Sequence, residues 1–307
     1  MNLALIFPGQ GSQSIGMGKD LYENSKEVKE LFEKASDLLK EDMQKLCFEE
    51  NDKLNQTQYT QPAILLVSCA VFSLIVPKII SKVRFGLGHS LGEFSALCAS
   101  GALEFEKALS LVHKRGILME ESCKGKKAGM MVVLGLEDST LEEFCEKKRN
   151  QGLHIWCANY NADGQMVLGG IREELECLEV ELKGLGAKRA LLLSMSVASH
   201  CPILESMCED FKSLLLEKLG EQFIFPIISN VSAQKYDNKN LALDLLSKQL
   251  ISPVLYKQSI RAFDSEADLF IECGGNVLKG LNKRLTQKET ISLQNYAEIS
   301  EFLQKDL

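Results

Sequence analysis

The chain has 307 residues, 45% hydrophobic and 25% charged, a balance that excludes disordered and fibrous proteins and allows roughly two domains. Its 35 Lys+Arg against 42 Asp+Glu leave a net charge of −7, which disfavours nucleic acid as a partner. The 10 scattered cysteines contain no CxxC pair and read as reduced thiols of a cytoplasmic protein.

The N-terminus MNLALIFPGQ has no basic region and only a short apolar run, unlike a signal peptide. Leu3–Phe7 reads as a buried parallel strand that enters a Pro-Gly loop. Lys/Glu-rich helical sequence fills about 18–50. The apolar stretch 63–76, closed by Pro77, is shorter than the ~20 residues of a membrane span and predicts a buried helix. Val83–Leu87 predicts a strand running into GHSLG, then a helix through Ala99 with Gly101 as its C-cap.

The stretch from about 123 to 194 alternates differently. Strand 130–135, helix 138–149, strands 154–160 and 165–170 across an Asn161–Gly164 turn, helix 172–185 and strand 187–194 give β-α-β-β-α-β, the order of a ferredoxin-like unit. The expected fold class is therefore α/β: a body with a mainly parallel sheet at 1–123 and 195–307, resuming near Ser196, and an inserted small domain at 124–194. Leu269–Glu272 reads as a last body strand before a Cys-Gly-Gly loop.

Gly88-His89-Ser90-Leu91-Gly92 fits G-x-S-x-G, the nucleophile elbow. Its strand-to-helix turn exposes a serine hydroxyl and puts the next N–H, that of Leu91, where an oxyanion forms. Of the 4 histidines, His89 is in the elbow, His113 in a helical stretch and His154 at a strand of the insertion. His200, in SVASHCP after the chain returns to the body, is the best candidate base. No carboxylate announces itself as a triad member, so either a buried acid or a backbone carbonyl orients the ring. FPGQGSQ at 7–13 fails as a dinucleotide fingerprint because Ser14 stands where the third glycine belongs. It is suited to offer a second oxyanion N–H from Gln10. Arg115 in KRGILMEE carries the planar fork that matches a carboxylate. A serine esterase, a thioesterase and a docking subunit with a decayed site are the rival readings.

FPGQGSQ, GHSLGE and the SH pair at 199–200, with TQPA at 60–63, RG at 115–116, NYNADGQ at 159–165 and QLISPV at 249–254, resemble the malonyl-CoA:acyl carrier protein transacylases of fatty acid synthesis. More distantly they resemble polyketide synthase acyltransferase domains. The resemblance implies an α/β-hydrolase-like body with a ferredoxin-like insertion. It also implies a ping-pong malonyl transfer from coenzyme A to the phosphopantetheine thiol of acyl carrier protein, with no metal or other cofactor and no membrane partner. By the same resemblance Ser90 is the nucleophile and His200 the base, oriented by the main-chain carbonyl of Gln249. Gln10 and Leu91 supply the oxyanion amides, Arg115 binds the malonyl carboxylate, and His89, Met119 and Asn161 line the pocket. Ala198, Ser252 and Cys273 depart from the family pattern (Pro, Asn and Gly are usual) without touching these groups. Lys124, Lys126, Lys127, Lys188 and Arg189, or Lys279, Lys283 and Arg284, are candidate contacts for an acidic carrier protein.

Overall fold

A computed structural model describes residues 1–195 and 197–306; the expected return to the body at Ser196 falls outside the described residues. The chain forms two sheets. The larger contains β1 (Leu3–Phe7), β2 (Val83–Gly88), β7 (Ile227–Ile228), β8 (Lys235–Tyr236), β9 (Leu269–Cys273) and β10 (Glu289–Leu293) in the order β10-β9-β1-β2-β7-β8. All its neighbours are parallel except β7 and β8. The smaller contains β3 (Ala128–Leu134), β4 (Ile155–Ala162), β5 (Gln165–Ile171) and β6 (Arg189–Leu192), antiparallel throughout in the order β4-β5-β3-β6. Taken in chain order from β3, that is 2-3-1-4 with helices Asp138–Asn150 and Arg172–Gly184 as crossovers, the ferredoxin-like arrangement expected.

β1 and β9 are buried along their whole length because both faces of the large sheet carry helices, so they read as unbroken apolar runs. β1 pairs with β2 on one side and, on the other, with β9, to which the chain returns after β7 and β8. A crevice opens beyond the carboxyl ends of strands at such a reversal, and the loops after β1 and β2 carry Gln10 and Ser90 to that edge.

Three expectations need correction. β9 is not the last strand of the body: β10 follows it, and its ETISL sequence alternates too weakly in polarity to announce a buried strand. The helix expected at 63–76 runs from Thr57 to Ile79, 23 residues, and is therefore long and apolar enough to cross a membrane. Its burial, not its length, marks it as a core helix: residues 60–68 are all buried against neighbouring elements. Pro62 sits inside this helix without orphaning an acceptor. Gln58 O, the carbonyl its missing N–H would have met, accepts from His113 Nδ1 at 2.8 Å instead. Finally, the β4–β5 turn is tighter than Asn161–Gly164: Ala162 pairs directly with Gln165, and Asn161 remains in β4.

Candidate active site

The elbow depends on two close approaches. A Cβ on Gly88 would collide with the backbone of Gly92, and one on Gly92 with the carbonyl of Phe7, so β2 and its following helix could not meet this tightly otherwise. Ser90 at their junction has φ 53°, a left-handed backbone that a non-glycine residue adopts only when its surroundings impose it. Asn230 imposes it: its Oδ1 accepts from Ser90 N at 2.7 Å while its Nδ2 donates to Gly88 O at 2.6 Å.

The hydroxyl so presented meets an imidazole. His200 Nε2 lies 2.7 Å from Ser90 Oγ, and His200 Nδ1 lies 2.7 Å from the main-chain oxygen of Gln249. A carbonyl only accepts, so Nδ1 carries the hydrogen and Nε2 presents its lone pair to the serine O–H. His200 is buried, has a left-handed φ of 61°, and its pKa is lowered to about 3, first by desolvation and then by the charge of Arg115. The question left open by the sequence thus has a geometric answer: a backbone carbonyl holds the ring.

Arg115 projects from the Phe105–Cys123 helix into the same space, 1% exposed. Nη1 donates to Gln61 Oε1 at 2.9 Å, and Nη2 donates to Gln249 Oε1 at 3.0 Å and to Ser90 Oγ at 3.4 Å. Phe94 lies under the guanidinium, 5.4 Å from its ring centre. Among the described residues no carboxylate forms an ion pair with Arg115, and its Nε has no hydrogen-bond partner. Burial lowers its pKa to about 10, which leaves it charged. A buried cation without a directly paired anion is costly, and a ligand carboxylate would complete it.

Ser90, His200, Arg115 and Gln61 line a cleft of about 370 Å³ between the two sheets, with Gln249 behind His200. Gln10, Leu91, His89, Met119 and Asn161 border it too, so the structure brings together every site residue expected from sequence. Among the described residues neither the Gln10 nor the Leu91 N–H enters a backbone hydrogen bond. His89 Nε2 lies 2.7 Å from Asn161 Oδ1, which joins the elbow to β4, and desolvation holds this imidazole below its usual range. Gln61, Glu93, Asn230 and Tyr236 are the parts that sequence reasoning missed. Glu93 stood in the GHSLGE string as the single charge in an otherwise apolar helical run, the one signal that could have found it. A second recess of about 1000 Å³ shares Asn55, Ser194 and Met195 with the cleft and is bordered by Lys124, Lys127 and Arg172.

Serine, imidazole and guanidinium converge on one cleft, and an acyl transferase domain model matches residues 4–293. The chain belongs to that family and, within it, to the malonyl-CoA:acyl carrier protein transacylases. It is 36% identical to the malonyl CoA-acyl carrier protein transacylase of Staphylococcus aureus, over 99% of both chains. Among solved structures, it is similar to malonyl-CoA:acyl carrier protein transacylase from Helicobacter pylori, with a TM-score of 0.95 and 49% identity over 100% of each chain. It is also similar to a malonyl-transacylase in complex with its type II polyketide acyl carrier protein, with a TM-score of 0.94 and 32% identity over 100% of each chain.

Proposed function

We propose that Ser90, His200 and Arg115 divide the chemistry of a malonyl transfer among them. The protein is an acyltransferase that moves a malonyl group from coenzyme A to the phosphopantetheine thiol of acyl carrier protein, in ping-pong fashion, for fatty acid synthesis. The observation that carries the assignment of residues is the buried Arg115, which among the described residues forms no ion pair with a carboxylate and lies within hydrogen-bond reach of the serine hydroxyl.

The malonyl carboxylate docks on the guanidinium and sets its thioester carbonyl against Oγ. As Oγ attacks, its proton passes to His200 Nε2 while the Gln249 carbonyl steadies the resulting imidazolium through Nδ1–H. The N–H groups of Gln10 and Leu91 hold the tetrahedral oxyanion; losing one such donor typically costs about 3–4 kcal/mol. The C–S bond breaks, the CoA thiolate leaves with the proton from His200, and malonyl-Ser90 remains. The carrier thiol then gives its proton to His200 and attacks the ester, and Ser90 leaves with that proton. No metal or other cofactor enters this scheme.

Residues 124–194 act in this reading as a small domain roofing the cleft, on a body of 1–123 and 195–307. The recess beside Lys124 and Lys127 favours that cluster as the carrier-protein contact. The reduced thiols fit a cytoplasmic enzyme, and all 10 cysteines are free.

Brief exposure to malonyl-CoA, followed by mass spectrometry, should place a malonyl group on Ser90. Arg115→Ala should lower kcat/KM for malonyl-CoA by about two orders of magnitude and shift preference toward acetyl-CoA. Unchanged acyl selectivity would remove Arg115 from its role.

A further inference from the structure

Glu93 is 1% exposed, one turn beyond the nucleophile on the Gly92–Ala99 helix. Its Oε2 accepts from Gln249 Nε2 at 2.8 Å and from Asn230 N at 3.1 Å, and its Oε1 accepts from the Tyr236 hydroxyl at 2.9 Å. Two of those partners hold the reacting groups. Asn230 clamps the elbow on both sides of His89. Gln249 touches everything else: its main-chain oxygen holds His200, its Oε1 accepts from Arg115, and its Nε2 also donates to Ser90 O at 3.1 Å.

We propose that Glu93 is a positioning residue whose negative charge, relayed through the Gln249 side-chain amide, sets both the orientation of that amide and the electrostatic balance between Arg115 and His200. The polarity of the chain follows from the acceptor. A carboxylate that takes hydrogen bonds on both oxygens obliges Gln249 to turn its NH2 inward and its oxygen toward the guanidinium. The charge also opposes the field of Arg115 at His200, which would otherwise depress the basicity of the imidazole further.

The charged and titratable groups that face Glu93 are Tyr236 from β8 and, beyond Gln249, Arg115 from the Phe105–Cys123 helix and His200. Gln249 and Asn230 are neutral. Desolvation raises the Glu93 carboxyl to about 7 against the pull of its three donors and Arg115. The carboxyl therefore loses its charge as pH falls through neutrality, where His200, already neutral, does not titrate.

The inference rests on the proposed roles of Ser90 and His200. Glu93→Gln tests it in the intact protein because Gln keeps the frame: its oxygen replaces Oε2, and its NH2 donates to Tyr236, whose hydroxyl reverses. E93Q should still be malonylated at Ser90, but kcat should fall about tenfold with KM for malonyl-CoA unchanged or lower. The acid limb near neutrality in the kcat/KM–pH profile of the wild-type protein should vanish. Phosphates of coenzyme A titrate nearby, but equally for both proteins. A purely structural residue would instead raise KM, lower the Tm at every pH and leave the limb in place. Tyr236→Phe removes one donor to the ionised carboxylate and should move the limb to higher pH, which serves if E93Q does not fold. An intact limb in E93Q, or an unmoved one in Y236F, overturns the proposal. If malonyl-CoA leaves Ser90 unlabelled in the wild-type protein, the proposed function falls instead.

Discussion

The two walls of the cleft are built differently. The wall from the large sheet is a closed polar circuit: Gln61, Arg115, Gln249, Glu93, Asn230 and Tyr236 hold one another and the Ser90–His200 pair through bonds of 2.6 to 3.4 Å. The wall from the small sheet is chiefly apolar, with Met130, Val132, Val167, Leu193 and Met195, and Asn161 reaches across to His89. Fixed dipoles stabilise developing charge because they need no rearrangement as the reaction proceeds. Methionines adapt their shape, which suits a wall that meets two different thiol carriers in turn. Chemistry is assigned to one side of the slot and tolerance to the other.

Breaking the polar wall should do most damage. His200→Ala should reduce transfer by about 10²–10⁴-fold in steady-state assays. The same substitution has a sign in stability. The unfolded imidazole binds a proton near 6.5 but the folded one only at about 3, so wild-type stability is lost as pH falls through that window. Urea titrations between those pH values should show a shallower loss for His200→Ala. Glu93 has the opposite slope. Its carboxyl takes up a proton more readily when folded, so its contribution declines as pH rises from 4.5 to about 7. A bond that joins the walls should matter less: a double-mutant cycle of His89→Ala and Asn161→Ala should return a coupling of about 1 kcal/mol in kcat/KM. Smallest of all, Met195→Ala on the adaptable wall should change KM for malonyl-CoA by less than about threefold. A tenfold loss there would show that the apolar side is as exacting as the other.

What could be read from sequence divides along the same line. β1, β2 and the small-sheet unit were legible because burial on both faces, or regular alternation, leaves a periodic trace. β7 and β8 have two residues each and leave none. The start of the Thr57–Ile79 helix was missed because a proline six positions in looks like a boundary until His113, from another helix, supplies the absent donor. Ser90 and His200 were legible by chemical type and motif. Arg115 and the Gln249 carbonyl came with the family resemblance, but the bonds behind them did not, because Glu93 meets Asn230, Tyr236 and Gln249 from 137, 143 and 156 residues away, and no local pattern encodes such meetings.

The seam between the sheets has its own consequence. β4 continues onto the body through main-chain bonds, Tyr160 N to Val254 O and Val254 N to Ala158 O, both 2.9 Å. Lys257 and Arg261 tie Asp138 and Asp163 alongside. The small sheet and the body are thus stitched by peptide groups and ion pairs at one margin. The width of the cleft at that margin cannot change without breaking both main-chain bonds.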